Sequence, residues 1–405
     1  MERWEQYQGV YVHTPFCLQK CLYCDFPSYA GFSEEIRQQY VDTLRREIEL
    51  RARERELPIA KQATVYFGGG TPTVLSVEQI GEIVACLKKN GWWNGPAEAT
   101  IEANPGTVNA EKLQALRRLG FDRISLGVQS LQDTELLALG RIHTADQALQ
   151  AVEEAKQAGF QRINVDLMSG IPCQTAESFR DTLDRMLQLN LSHISVYSLI
   201  LEEGTPLERL VRDSEVSLPD EDITYVMYEM TTDLLVQAGL QRYEISNYAK
   251  PGQESLHNKV YWYYEPYAAF GVGACTFNGK ERRTNTIDVQ HYINGWNTAG
   301  LTTRIGGAVT RKRDASADKE DMALWQTERL DRKTQISEAM IMGLRLAEGI
   351  SPDVMQKRFS VDVFKYYGKE IKVLLQNNML VFDGERLHLT GYGMRYGNRS
   401  FEAFV

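Results

Sequence analysis

Residues 13–26 read HTPFCLQKCLYCDF and hold half of the chain's six cysteines: Cys17, Cys21 and Cys24. Their spacing is C-x3-C-x2-C. Thiolates are ligands for soft metals, and three in one short loop can wrap a single metal centre. Two centres answer to the pattern. A structural zinc ion is four-coordinate and needs a further Cys or His from elsewhere. His13 is close in sequence, but it belongs to an apolar strand pattern. A 4Fe-4S cluster held by three thiolates leaves one iron open, which is useful only if something else binds there. Cys86, Cys173 and Cys275 have no partner at ligand spacing and read as small buried residues.

The loop follows the first of six apolar, β-branched runs: 9–16, 63–70, 99–105, 123–130, 162–170 and 193–200. Helical patterns separate them. SVEQIGEIVACLKK has Ser76 and Gln79 placed for a capping box, and ADQALQAVEEAKQAGF ends on Gly159. A helix-end joint recurs as LGFDRI, AGFQRI and AGLQRY, around Gly120, Gly159 and Gly239. Repeated βα units imply a parallel sheet with right-handed crossovers. Six of them suggest a partial (β/α)6 barrel with its site at the C-terminal strand ends. An open doubly wound sheet has the same strand pattern and stays open as an alternative.

The rhythm loosens after about residue 205. A helix over LPDEDITYVMYEMTTDLLVQAGL is followed by a Gly-, Asn- and Tyr-rich loop to about residue 280. RKRDASADKED (311–321) reads as an exposed connector. Beyond Glu328, helices and a hairpin around Asp383-Gly384 suggest a winged-helix-like α+β accessory domain without a basic recognition helix. The expected divisions are 1–240, 241–327 and 328–405.

The chain has 405 residues, 43% of them hydrophobic, which suits a sizeable core. Its net charge of −9 gives no electrostatic reason to expect nucleic acid. The opening MERWEQYQGVYVH lacks the pattern of a secretory signal. No run approaches the roughly 18 apolar residues of a membrane anchor. The few cysteines do not form a secreted disulfide framework. The expected compartment is the cytoplasm.

With Tyr23 as the aromatic before the last cysteine, C-x3-C-x2-C resembles the motif of the radical S-adenosylmethionine (SAM) superfamily. That resemblance implies a 4Fe-4S cluster on Cys17, Cys21 and Cys24, whose open iron is held by SAM, and an electron donor for the cluster. FGGGTPT (67–73) is similar to the family's SAM-amino-binding turn, which implicates Gly69, Gly70 and Thr71. Glu102, Gln129 and Asp166 are polar residues near the ends of apolar strands. Taken singly, each could equally be a strand-end cap or a buried hydrogen bond. Together they match SAM-contacting positions of the coproporphyrinogen-oxidase-like branch, as do Tyr11, Arg141, Ile200 and Phe277.

Two groups of that branch compete: oxygen-independent coproporphyrinogen III oxidases, which decarboxylate a porphyrinogen, and the heme chaperone HemW family, which carries heme. Phe26 stands where the oxidases have a further cysteine, and the first strand begins early, without their covering arm. HNKVYW (257–262) matches the H-N-x-x-Y-W signature of the chaperone family. The resemblance therefore implies heme contact at His257, Asn258, Tyr261 and Trp262, with an imidazole for iron and flat rings for the macrocycle. Read without it, His257 is a hydrogen-bonded loop histidine with two core aromatics beside it. Acceptor hemoproteins, those of the respiratory chain among them, and a tendency to dimerise are implied in the same way.

Overall fold

A computed structural model of the chain describes residues 1–298 and 324–405. The six apolar runs form strands β1 (Tyr7–Thr14), β2 (Ile59–Gly69), β3 (Ala99–Ala103), β4 (Arg123–Gln129), β5 (Arg162–Ser169) and β6 (His193–Ser198). They lie side by side in chain order, each parallel to the next. A doubly wound sheet reverses its strand order at a switch point. No reversal occurs here, so the partial barrel is the architecture.

The connecting helices close as their sequences predict. Ser76 and Gln79 form the expected capping box of Val77–Lys89; the structure adds a second, Thr144 with Gln147, on Ala145–Gln157. The recurring joints bend at Gly120, Gly159 and Gly239, with φ of +114°, +87° and +83°. Only glycine adopts these angles without strain.

Side chains alternate across each strand. Val10, Val12, Val65, Phe67, Ile101, Ile124, Leu126, Val165, Leu167 and Ile194 join one core with the surrounding helices. The other face carries Tyr66, Glu102, Arg123, Ser125, Asn164, Asp166 and Ser195, all of which line one cavity inside the barrel. In register, Glu102 pairs with Ser125 and Asp166 with Ser195. A polar layer therefore runs across four neighbouring strands.

Both edges of the six-stranded sheet are covered, which removes unpaired strand edges. Beside β6 lie β7 (Gln241–Arg242) and β8 (Asn247–Ala249), with β8 antiparallel to β6. Beside β1, β9 (Tyr267–Phe270) adds in parallel. β10 (Cys275–Phe277), β11 (Glu281–Asn285) and β12 (Trp325–Arg329) continue antiparallel from it. The stretch read as a long loop thus supplies strands to both ends of the barrel sheet. Glu47, on the helix Glu34–Arg53, ties this extension down: it accepts from Gly271 N (2.9 Å), Asn285 Nδ2 (2.9 Å) and the Tyr292 hydroxyl (2.6 Å), and it pairs with Arg51. The connector expected at 311–321 lies outside the described residues.

The C-terminal region has its own core, built on the helix Arg332–Leu344, the helices that follow and the hairpin of β13 (Leu380–Phe382) and β14 (Leu387–Leu389). The hairpin turns at Gly384, and Asp383 accepts from two turn amides. Tyr264 and Phe277, from the extension, belong to this second core. Among the described residues no helix is long and apolar enough to cross a membrane.

Candidate functional site

The cysteine loop leaves the C-terminal end of β1 and folds back over the barrel mouth. Cys17 N donates to Tyr29 O (2.9 Å) and Tyr29 N to Pro15 O (2.8 Å), which closes its base. Leu22 N donates to Leu139 O (3.0 Å), which docks it on the turn that carries Arg141. His13 clamps it from below: Nδ1 bonds the Tyr11 hydroxyl (3.1 Å) and Nε2 bonds Pro27 O (3.0 Å). Burial pushes this imidazole down to about 4, so it is neutral at pH 7. With both nitrogens engaged, His13 is a positioning residue and not a fourth ligand.

Cys17, Cys21 and Cys24 are free thiols that line one cavity. Their partners are donors suited to thiolates: Thr71 Oγ1 to Cys17 (3.7 Å), Ser28 Oγ beside Cys24 (3.7 Å) and Arg141 Nη1 to Cys21 (3.3 Å). Among the described residues, no three Cys, His, Asp or Glu side chains gather around a single-ion position. A cubane takes one thiolate per iron and needs no such convergence. Three thiols, cationic and hydroxyl donors, and an adjoining cavity of about 400 Å³ fit a 4Fe-4S cluster with a small organic ligand beside it.

The cavity brings together eight of the residues implicated in SAM contact: Tyr23, Gly69, Gly70, Thr71, Glu102, Gln129, Arg141 and Asp166. The glycines are sterically required. A Cβ on Gly69, at φ +112°, would lie 2.6 Å from the His13 ring, and one on Gly70 would lie 3.0 Å from Cys17 Sγ. Gln129 sits at φ +69°, at a break in the β4–β5 register, which aims its amide inward. Arg141 donates to Asn104 Oδ1 (2.8 Å) and Gly127 O, and its buried Nε has no partner. Glu102 accepts from the Tyr66 hydroxyl (2.6 Å) and Gly69 N (3.2 Å); burial raises its carboxyl to about 7. Asp166 accepts from Ser125 Oγ (2.9 Å) and Asn164 Nδ2 (2.8 Å), and burial raises its pKa too.

Three implicated residues lie elsewhere. Tyr11 sits beneath the cavity, its ring 6.1 Å from that of Tyr66. Phe277 is in the second core against Tyr264 and Tyr267, because β10 lies outside the parallel strands. Ile200 is exposed at the rim of a neighbouring cavity. Sequence reasoning did not single out Asn104, Arg123, Ser125, Asn164, Ser195 and Tyr197, which also line the site. The polar alternation in RISLG, RINVD and HISVY is the signal that would have found most of them.

HNKVYW forms a short helix, Leu256–Trp262, that plugs the barrel. Glu98, which precedes β3, holds its first turn by accepting from Leu256 N (3.0 Å) and His257 N (3.1 Å), and it pairs with Arg162 at 3.2 Å. His257 is fully buried. Its Nδ1 bonds Thr64 Oγ1 (2.7 Å), its Nε2 bonds the Tyr261 hydroxyl (2.9 Å), and its ring stacks on Tyr66 at 4.9 Å. Burial lowers its pKa to about 3. As placed, both ring nitrogens of His257 are hydrogen-bonded inside the barrel, so contact with a heme iron would require the ring to give up Thr64 or Tyr261. Asn258 reaches the thiol cavity, and Asn258, Tyr261 and Trp262 all border the neighbouring one.

Residues 11–186 match the Radical SAM superfamily, and residues 330–396 match the HemN C-terminal domain. The chain is 35% identical to "Heme chaperone HemW" of Lactococcus lactis, over 98% of this chain and 97% of the relative. It is 32% identical to "Heme chaperone HemW" of Bacillus subtilis, over 98% and 99%. Among solved structures it resembles coproporphyrinogen III oxidase (HemN) from Escherichia coli, with a TM-score of 0.82 at 24% identity, covering 99% of this chain and 90% of that one. At that identity the likeness concerns the fold.

Two outcomes are expected. His257→Ala removes the centre of the barrel floor, takes the His257 partner from the Tyr261 hydroxyl and leaves Thr64 Oγ1 with only the long bond to Gln8 O. It should lower unfolding stability in urea by about 2–3 kcal/mol; an unchanged midpoint would mean that the ring carries no structural load. The second concerns Glu102. If its carboxylate is the SAM-binding form, a free-protein pKa near 7 requires a proton to leave on binding. Affinity should then rise with pH and level off above that value, with about a tenfold loss between pH 8 and pH 6. Tyr66, Asp166 and Arg123 face the same group and remain in all variants. Equilibrium SAM binding to Glu102→Gln should lose this pH dependence; a flat wild-type profile would show that Glu102 does not titrate at the site.

Proposed function

The chain belongs to the heme chaperone HemW family of the radical SAM superfamily, and on that premise we propose that it binds heme and delivers it to acceptor hemoproteins. The observation that carries this reading is the reach of the HNKVYW helix. It extends from the cavity shared by the thiols and the strand-end polar groups to a second cavity beside it. Cys17, Cys21 and Cys24 would hold a 4Fe-4S cluster. Gly69, Gly70, Thr71, Glu102, Gln129, Arg141 and Asp166 would hold SAM. Tyr23 would cover the cluster from the same cavity.

A cluster held by Cys17, Cys21 and Cys24 would make one-electron reduction chemistry available beside SAM. The chain's own residues position and insulate. His13 fixes the thiol loop. Arg141 bridges that loop to Asn104 and β4. Glu102 and Asp166 present buried carboxyls for the hydroxyl and amino groups of the ligand. Heme contact in this reading falls to Asn258, Tyr261 and Trp262, while His257 orders the helix that carries them. Acceptors of the respiratory chain, an electron donor, a homodimer and a cytoplasmic setting belong to the same proposal.

The test is a parallel one. Protein reconstituted anaerobically with its cluster is offered heme and coproporphyrinogen III separately, each with SAM and a reductant. Retention of heme through gel filtration, reduced at least tenfold in Trp262→Ala, with no protoporphyrinogen IX formed, is expected. Steady conversion of coproporphyrinogen III by protein that ignores heme would reassign it to the oxidases.

A further inference from the structure

The second cavity has about 770 Å³ and lies between the β6–β8 edge of the barrel, the HNKVYW helix and the last helices of the chain. It shares Tyr197 and Asn258 with the thiol cavity, so only these two side chains stand in both linings. Its size is within the roughly 300–1,000 Å³ of cofactor sites. Its lining combines broad aromatic faces with four arginines, Arg242, Arg345, Arg395 and Arg399, against a single carboxylate, Glu244. In a chain of net charge −9, that local excess of positive charge runs against the average.

The arginines are not equivalent. Arg242 is committed to structure: it donates to the carbonyls of Glu244 and Ile245 and to the Tyr228 hydroxyl. Glu244 is buried and accepts from Ser246 N (2.8 Å) and Asn247 Nδ2 (2.5 Å). Arg345 lies over the Trp262 ring at 4.6 Å, and its buried Nε has no hydrogen-bond partner. Arg395 lies over Tyr225 at 3.5 Å, and Arg399 lies 5.6 Å from the Tyr396 ring centre. Three guanidinium groups are thus held on aromatic faces with donors still free for an anion. Guanidinium forks suit carboxylates, and stacking pre-orders them at low entropic cost. Trp262, Tyr197 and Phe401 supply flat apolar area.

We propose that this cavity binds a flat, dianionic tetrapyrrole, with the macrocycle against Trp262 and its two carboxylates on Arg345, Arg395 and Arg399. The assignment rests on the carrier reading above and adds the site and the groups that recognise the ligand. It places the barrel and the C-terminal domain on opposite sides of one ligand, and it explains why Trp262 and Arg345, from different domains, are stacked together.

The experiment compares heme with heme dimethyl ester, whose carboxylates are blocked, by Soret titration of the full chain with its cluster reconstituted. The unmodified protein should bind heme at least tenfold more tightly than the ester. R345Q and the double variant R395Q/R399Q should each weaken heme binding at least tenfold, leave ester binding nearly unchanged and keep the iron content of the cluster. Equal affinity for heme and ester, or variants that bind heme as the unmodified protein does, would overturn the cavity assignment and leave the carrier reading standing. Failure of the unmodified protein to bind heme at all would remove both. The heme-against-ester comparison uses no variant, so a poorly folding substitution does not shield the proposal.

Discussion

The alternation of side chains along the parallel strands of the barrel is the constraint on which everything else hangs. Parallel strands usually bury apolar residues on both faces. Here one face is apolar and covered by helices, while the other presents Glu102, Arg123, Ser125, Asn164, Asp166 and Ser195 to a shared interior. Buried polar groups must find partners. Glu102 finds them in Tyr66 and Gly69, Ser125, Asn164, Asp166 and Ser195 find them in one another and in Asn247, and the buried Arg123 Nε is left without one. A one-residue slip in any of these strands would turn its polar set into the helices.

The HNKVYW helix completes that interior. Its amides are held by Glu98, its histidine fills the floor beneath Tyr66, and its far end carries Trp262 to the C-terminal domain. One seven-residue helix therefore touches the barrel core, the thiol cavity and the arginine-rich cavity. A ligand in either cavity would meet side chains of the same rigid element. In the proposed reading, the proximity of the two cavities would set a redox-active centre beside a tetrapyrrole site, an arrangement that suits control of heme loading as readily as chemistry on it.

Much of this was legible in the sequence. The six strands, the Ser76–Gln79 capping box and the glycine joints depend on local patterns and lie where those patterns predicted. The thiol loop, Gly69 to Thr71, Glu102, Gln129, Arg141 and Asp166 could be singled out because each stands at a strand end or in a motif, and the fold brings them to one cavity. β9 was not, because Tyr267–Phe270 has no local strand signature and is defined by pairing with β1, far away in the chain. Mid-strand Ser125, Asn164 and Ser195 were passed over because polar alternation usually means a solvated face. The burial of His257 was hidden for a different reason. A motif identifies a side chain but not its burial, and only the surrounding Thr64, Tyr66 and Tyr261 show both of its nitrogens engaged. Phe277 was carried over by position onto a strand outside the barrel.

The central claim is that this chain carries heme to other proteins, and direct transfer tests it. Heme-loaded, cluster-containing protein is mixed with a heme-free b-type cytochrome, and the cytochrome spectrum is followed in time. The account predicts that the cytochrome fills while the carrier empties, faster than from an equal concentration of heme held by serum albumin. Heme that stays on the chain, or that moves no faster than from albumin, would contradict it.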